Sequence, residues 1–89
     1  MPYILKKDRK AFDKSLKEIG DNLETVGELN YCFTVLLKRY LKYQGKSYKT
    51  INDCIGVLES AKLEFYRREA AIYEDLKIDI NGDITIEEF

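Results

Sequence analysis

The chain has 89 residues, of which 45% are hydrophobic and 35% are charged, and its formal net charge is −1. This length and composition predict one small globular domain, and the balanced charge excludes the basic surface of a general nucleic-acid binder. Histidine is absent, so the commonest general base and metal ligand are missing, and we assign no catalytic residue and no cofactor. The sequence contains neither a signal peptide nor a membrane-spanning run, which predicts a cytoplasmic protein without a membrane partner.

The first two predicted helices cover residues 8–24 and 26–43. The apolar residues of the first recur at steps of three and four, which places them on one stripe: Phe12, Leu16, Ile19 and Leu23. Thr25 and Glu28 form a capping box at the start of the second helix. Its main apolar face is wide, and Tyr31 and Val35 project on the opposite side. A helix that is apolar on two sides is central or shared with a partner, so we assign Tyr31 and Val35 to an interface.

The third predicted helix covers residues 48–75 and is capped by Ser47. At about 1.5 Å per residue it is roughly 40 Å long, more than one domain of this size spans. A second copy of the chain is the simplest way to bury the part of the helix that extends beyond the domain, so we expect a homodimer. Phe65 and Ile72 lie in that half of the helix and are expected interface residues. The expected fold is mainly α: a three-helix unit with a long third helix and a short C-terminal β-hairpin, all in one domain of residues 1–89.

The hairpin is predicted over residues 77–86, where apolar and polar residues alternate around Asn81 and Gly82. The same segment also resembles a degenerate calcium loop of the EF-hand type, with Lys77 at the first ligand position. A cation there opposes a metal, so we assign no metal site. If calcium binds, its ligands come from the remaining loop positions, which are Asp79, Asn81, Asp83 and Glu88.

A polar seam follows the third helix along the edge of its apolar stripe. One interpretation is that the seam binds a small molecule or a nucleotide. Glu59 then pairs with Lys62 and Tyr66 with Glu69, each three residues apart. The alternative is that Lys62 and Glu69 extend their stems across the edge of the core and keep their charges in water. The candidate ligand-binding residues are Asn52, Glu59, Lys62, Tyr66 and Glu69.

Seven stretches of the chain match a known pattern: Met1-Pro2-Tyr3-Ile4, Gly27-Glu28-Leu29-Asn30-Tyr31, Ser47-Tyr48 with Ile51-Asn52, Ile55-Gly56-Val57-Leu58-Glu59, Ala61-Lys62-Leu63-Glu64-Phe65-Tyr66-Arg67-Arg68, Tyr73-Glu74-Asp75 and Asn81-Gly82-Asp83. With them the sequence resembles a family of small uncharacterised prokaryotic and phage-encoded proteins of about this length. The resemblance spans nearly the whole chain and implies no established activity. Members carry proline where this chain has Ile72, which implies that their third helix bends or stops near Ala71.

The sequence therefore predicts a non-enzymatic homodimeric module for protein–protein interaction or regulation, with a further protein partner that the sequence does not identify. The two alternatives are a small-ligand or nucleotide-binding protein that uses the polar seam, and a degenerate calcium binder at the C-terminus.

Overall fold

The computed structural model describes residues 3–88. The chain divides into two compact units, Met1–Tyr40 and Leu41–Phe89. The predicted mainly α fold with three helices is confirmed, and residues 3–88 contain no strand.

The first unit contains a short 3-10 helix, Lys6–Asp8, then α1, Lys10–Asp21, and most of α2, Val26–Gln44. The predicted capping box at the start of α2 is confirmed. The Glu28 carboxylate accepts hydrogen bonds from the backbone N–H groups of Glu24 and Thr25 at 2.7 and 2.9 Å, and Thr25 Oγ1 accepts from the Glu28 N–H at 3.1 Å. This reciprocal pattern satisfies N–H groups that the first turn of a helix leaves unpaired.

The second unit is dominated by the third helix, which comprises α3, Tyr48–Phe65, a π-helical segment, Tyr66–Ala70, and α4, Ala71–Asn81. Gly45, with a φ of 93°, separates it from the end of α2. Ser47 caps it as predicted, because its Oγ accepts the N–H of Thr50 at 3.1 Å. In the π-helical segment the Ala71 N–H donates to the Tyr66 carbonyl, five residues earlier rather than four.

The predicted β-hairpin over residues 77–86 is wrong. Residues 77–81 complete α4, and the helix ends where Gly82 adopts a φ of 85° and donates its N–H to the Ile78 carbonyl at 2.8 Å. Glycine with positive φ is as well suited to the end of a helix as to a hairpin turn. A hairpin of type I′ also needs positive φ at Asn81, and no non-glycine residue among 3–88 has one. A short 3-10 helix, Ile86–Glu88, follows.

The apolar stripes of the helices remain open to solvent. No hydrophobic side chain among residues 3–88 is buried, and Thr50 is the one buried side chain in that range. On α1, Phe12 and Leu16 are each more than half exposed, and on α3 the same holds for Ile55 and Phe65. Amphipathic helices owe most of their stability to packing of the apolar face, so these exposed stripes are the surface that would gain most stability from further packing. None of the helices within residues 3–88 combines the length and the apolar character needed to cross a bilayer.

Candidate functional site

The four interface residues predicted from the sequence lie on helix surfaces. Tyr31 and Val35 are one turn apart on α2, where Tyr31 is 70% exposed and Val35 is half-buried. Phe65 is the last residue of α3 and is 70% exposed, and Ile72, in the first turn of α4, is 64% exposed. Three large apolar side chains therefore present most of their surface to solvent, as an interface residue does before its partner binds.

The π-helical segment changes which residues of the third helix share a face. It adds the equivalent of about one residue to the helix, which rotates everything beyond it by about 100°. In an uninterrupted α-helix Phe65 and Ile72, seven residues apart, lie on one stripe. With the extra residue, Ile72 turns away from Phe65, and Tyr73 takes its place on the Phe65 side.

The polar seam is rearranged by the same shift. The Tyr66 hydroxyl donates to Glu74 Oε2 at 2.8 Å, although sequence spacing had paired Tyr66 with Glu69. Residues eight apart lie about 80° apart around a regular α-helix, and the inserted residue brings them back to nearly the same side. The hydrogen bond to Glu74 raises the pKa of the Tyr66 phenol, because ionisation would break the bond and place two negative charges together.

The other half of the seam has the predicted pairing. Lys62 Nζ lies 3.5 Å from Glu59 Oε1, and both side chains are more than half exposed. Asn52 is exposed one turn after the cap of α3, and Glu69 is exposed within the π-helical segment. These side chains lie along an exposed helix surface, where they can pair with one another in water.

A second polar cluster surrounds Glu64, at the end of α3. Glu64 Oε1 accepts a hydrogen bond from Arg67 Nη2 at 2.7 Å and another from Arg68 Nε. The Glu64 side chain is only 15% exposed, whereas the two arginine side chains are more than 60% exposed. The hydrogen bonds from Arg68 and Arg67 lower the pKa of the Glu64 carboxyl. The cluster ties α3 to the π-helical segment, and the Glu64 carboxylate offsets part of the positive charge of the two arginines.

Neither Glu64 nor Glu74 was among the candidate site residues predicted from the sequence. The spacing of Glu64 from the two arginines, three and four residues, is a readable signal for an ion pair on a helix. The partnership of Tyr66 with Glu74 has no such signal, because it depends on the π-helical segment.

A groove in the first unit, at the end of α1 and the start of α2, was not predicted either. Its volume is about 570 Å³. The apolar part of its wall comes from Ile19, Leu23, Tyr31 and Cys32, and Glu18, Asn22 and Glu28 add polar groups. Glu28 is engaged in the capping box, where the backbone hydrogen bonds from Glu24 and Thr25 lower the pKa of its carboxyl.

The candidate calcium ligands are divided between helix and loop. Asp79 and Asn81 lie in the last turn of α4, Asp83 lies just beyond it, and Glu88 ends the final 3-10 helix. The part of the chain that the structure describes contains no group of three or more histidine, cysteine, aspartate or glutamate side chains placed to hold a metal ion.

A family model described as a domain of unknown function (DUF6899) matches residues 1–84. No curated protein and no solved structure matches the chain.

Proposed function

Because the chain belongs to the DUF6899 family of unknown function, we propose its function from its own residues: it is a non-enzymatic protein–protein interaction module that acts as a homodimer. The observation that supports this proposal is the exposure of the apolar stripes. Tyr31, Phe65 and Ile72 are each at least 64% exposed, and burial of such side chains is the main favourable term in stable association.

The length of the third helix also favours a second copy. The helix runs from Tyr48 to Asn81, which corresponds to about 50 Å. A helix of this length carries apolar side chains over more turns than a domain of 89 residues can cover. A homodimer buries such a surface with an identical one, and interfaces of this kind resemble the core of a domain.

The polar side chains of the third helix are consistent with a non-enzymatic role. Glu59 pairs with Lys62, Tyr66 with Glu74, and Glu64 with two arginines. Each of these groups is used within the helix to which it belongs. The resemblance to prokaryotic and phage proteins supports a prokaryotic source, and a cytoplasmic location is part of this proposal.

Native mass spectrometry of the protein and of a Tyr31→Glu variant tests the proposal. We expect the unmodified chain to appear as a dimer, and Tyr31→Glu to appear as a monomer because a charge at this position must be dehydrated when the interface forms. Tyr31→Phe is the matched control, since it keeps the ring and should stay dimeric. A monomeric unmodified chain would refute the homodimer. A dimer that Tyr31→Glu leaves intact would remove Tyr31 from the interface.

The groove of the first unit supports a second candidate function, the binding of a small ligand. Its volume of about 570 Å³ is within the range of ligand sites, and its wall is largely apolar with a few polar groups. The same mass spectra test it. One small molecule retained per chain, and lost in an Ile19→Glu variant, would favour a ligand-binding protein over an interaction module.

A further inference from the structure

We propose that the homodimer is antiparallel, with the acidic end of each third helix bound to the basic turn of the other copy. The basic turn consists of Lys42, Lys46 and Lys49, and the acidic end consists of Asp79, Asp83, Glu87 and Glu88. This inference rests on the proposed function, and it adds the orientation of the two chains and the side chains that set it.

The charges of the sequence are separated along the chain, although their total is close to zero. Residues 29–52 contain five basic residues and no acidic one, whereas residues 69–89 contain seven acidic residues and one lysine. The two remaining stretches, 1–28 and 53–68, are each balanced. The chain therefore carries one positively charged region and one negatively charged region, and the two are electrostatically complementary.

The third helix keeps the two regions of one chain apart. Lys49 lies in the first turn of α3 and Asp79 in the last turn of α4, and the helix between them is continuous. Thirty residues of helix correspond to about 45 Å, several times the Debye length of about 8 Å at physiological salt. The acidic end therefore gains little from the basic turn of its own chain, and a second copy can supply that complementary surface.

The placement of the charges is also unfavourable for the helix alone. The N-terminus of a helix carries partial positive charge and favours acidic residues, and the C-terminus favours basic ones. Here the first turn of α3 has no acidic residue and includes Lys49, while the last turn of α4 has no basic residue and includes Asp79. An antiparallel copy compensates the unfavourable charges at both helix ends, because it brings acidic side chains to each N-terminus and basic side chains to each C-terminus. A parallel copy would place like charges together at both ends.

The apolar surface and the charged ends are compatible with one interface. Ile72, Leu76 and Ile80 follow each other at four-residue steps on α4, and each is more than half exposed. Asp79 lies next to Ile80 and three residues from Leu76, so it is at the edge of this stripe. Charged residues at the edge of an apolar seam are the ones that select the orientation of paired helices.

Charge reversal tests the inference on the full chain. The variants are Lys42→Glu with Lys46→Glu, Asp79→Lys with Asp83→Lys, and all four changes together. Lys49 is left unchanged because its ammonium pairs with Asp53 at 2.9 Å. Dimer dissociation constants come from sedimentation at low salt, and circular dichroism checks that each variant remains helical. Each double variant should weaken the dimer by about tenfold or more, because both of its contacts then join like charges. The fourfold variant should recover most of the affinity, since attraction returns at both contacts.

The outcomes separate this inference from the proposed function. If the unmodified chain is a dimer and the double variants leave its dissociation constant unchanged, or the fourfold variant fails to recover, the antiparallel arrangement is wrong and the homodimer stands. A monomeric unmodified chain refutes both.

The tyrosines beside the basic turn, Tyr43 and Tyr48, offer stacking surfaces to nucleic acid, so a fluorescent single-stranded oligonucleotide is the competing probe. Tight binding that is lost in Lys42→Glu with Lys46→Glu, with an unchanged dimer constant, would assign the basic turn to nucleic acid and overturn the inference. Absence of binding, with the charge-reversal pattern above, supports it.

Discussion

Replacement of Phe65 by alanine should weaken the proposed dimer more than any other single truncation on α3. Phe65 is 70% exposed in the single chain. Complete burial of such a side chain contributes about 1.5–3 kcal/mol, so burying the exposed part contributes about 1–2 kcal/mol per copy. Both copies lose it, which gives about 2–4 kcal/mol per dimer, or roughly a 30-fold to 1,000-fold rise in the dissociation constant.

Leu63→Ala is the matched control for Phe65→Ala. Leu63 is 59% exposed, and the two-residue separation places it about 160° around α3 from Phe65. Its truncation removes a similar amount of exposed apolar surface from the other side of the same helix, so the dissociation constant should change less than about threefold. Sedimentation equilibrium over a wide range of protein concentrations measures both. Equal effects of the two truncations would refute the reasoning, because they would show that association does not depend on the Phe65 side of α3.

Three further predictions concern stability. Ser47→Ala should lower the free energy of unfolding by about 1 kcal/mol because it removes the cap of α3, and Ser47→Asp should restore it; thermal melts that do not distinguish the two would contradict the role of the cap. Lys62→Met should change the free energy of unfolding by less than about 0.5 kcal/mol, since its ion pair is exposed; a larger loss in chemical denaturation would show that the seam is engaged in packing or ligand binding. The two arginines hold the pKa of Glu64 below its ordinary value of 4.5, so their stabilisation is present above that pH and is lost as the pH falls through the lowered pKa. Acid unfolding followed by circular dichroism should therefore show a weaker pH dependence in Glu64→Gln, and an identical dependence would mean that the carboxylate contributes nothing.

The helix boundaries set by local chemistry were predictable. Ser47 caps α3 and Thr25 pairs with Glu28 because each motif involves residues three apart, whose geometry depends on little beyond the first turn of the helix. The hairpin prediction failed because the local signals in that segment fit two different structures. Gly82 suits a turn and a helix end equally, and the apolar residues before it fit two patterns. Ile78 and Ile80 alternate as in a strand, while Leu76 and Ile80 are spaced as in a helix, and a run of this length does not decide between them.

The candidate site was predictable only where it lies within one regular helix. The pairing of Glu59 with Lys62 follows from a three-residue step, and α3 is regular over that step. The pairing of Tyr66 with Glu74 depends on the π-helical segment, in which the Tyr66 carbonyl accepts a hydrogen bond from the N–H group five residues later. No residue type in a sequence marks a π-helical segment in the way that proline marks a helix kink. The exposed state of Tyr31 and Phe65 matches their assignment to an interface, and that assignment stays a prediction.

The π-helical segment has a consequence for which helices can lie along the third helix. It divides the apolar surface into two tracks, one on α3 and one on α4, with an angular offset of about 100° between them. A regular helix from an unrelated protein can pack along one track, but it loses contact with the other track beyond the π-helical segment. A partner helix follows both tracks only if it carries a matching irregularity of its own where the tracks meet. One additional residue in the third helix therefore restricts which helices can pair with it along its whole length, and a regular amphipathic helix is not among them.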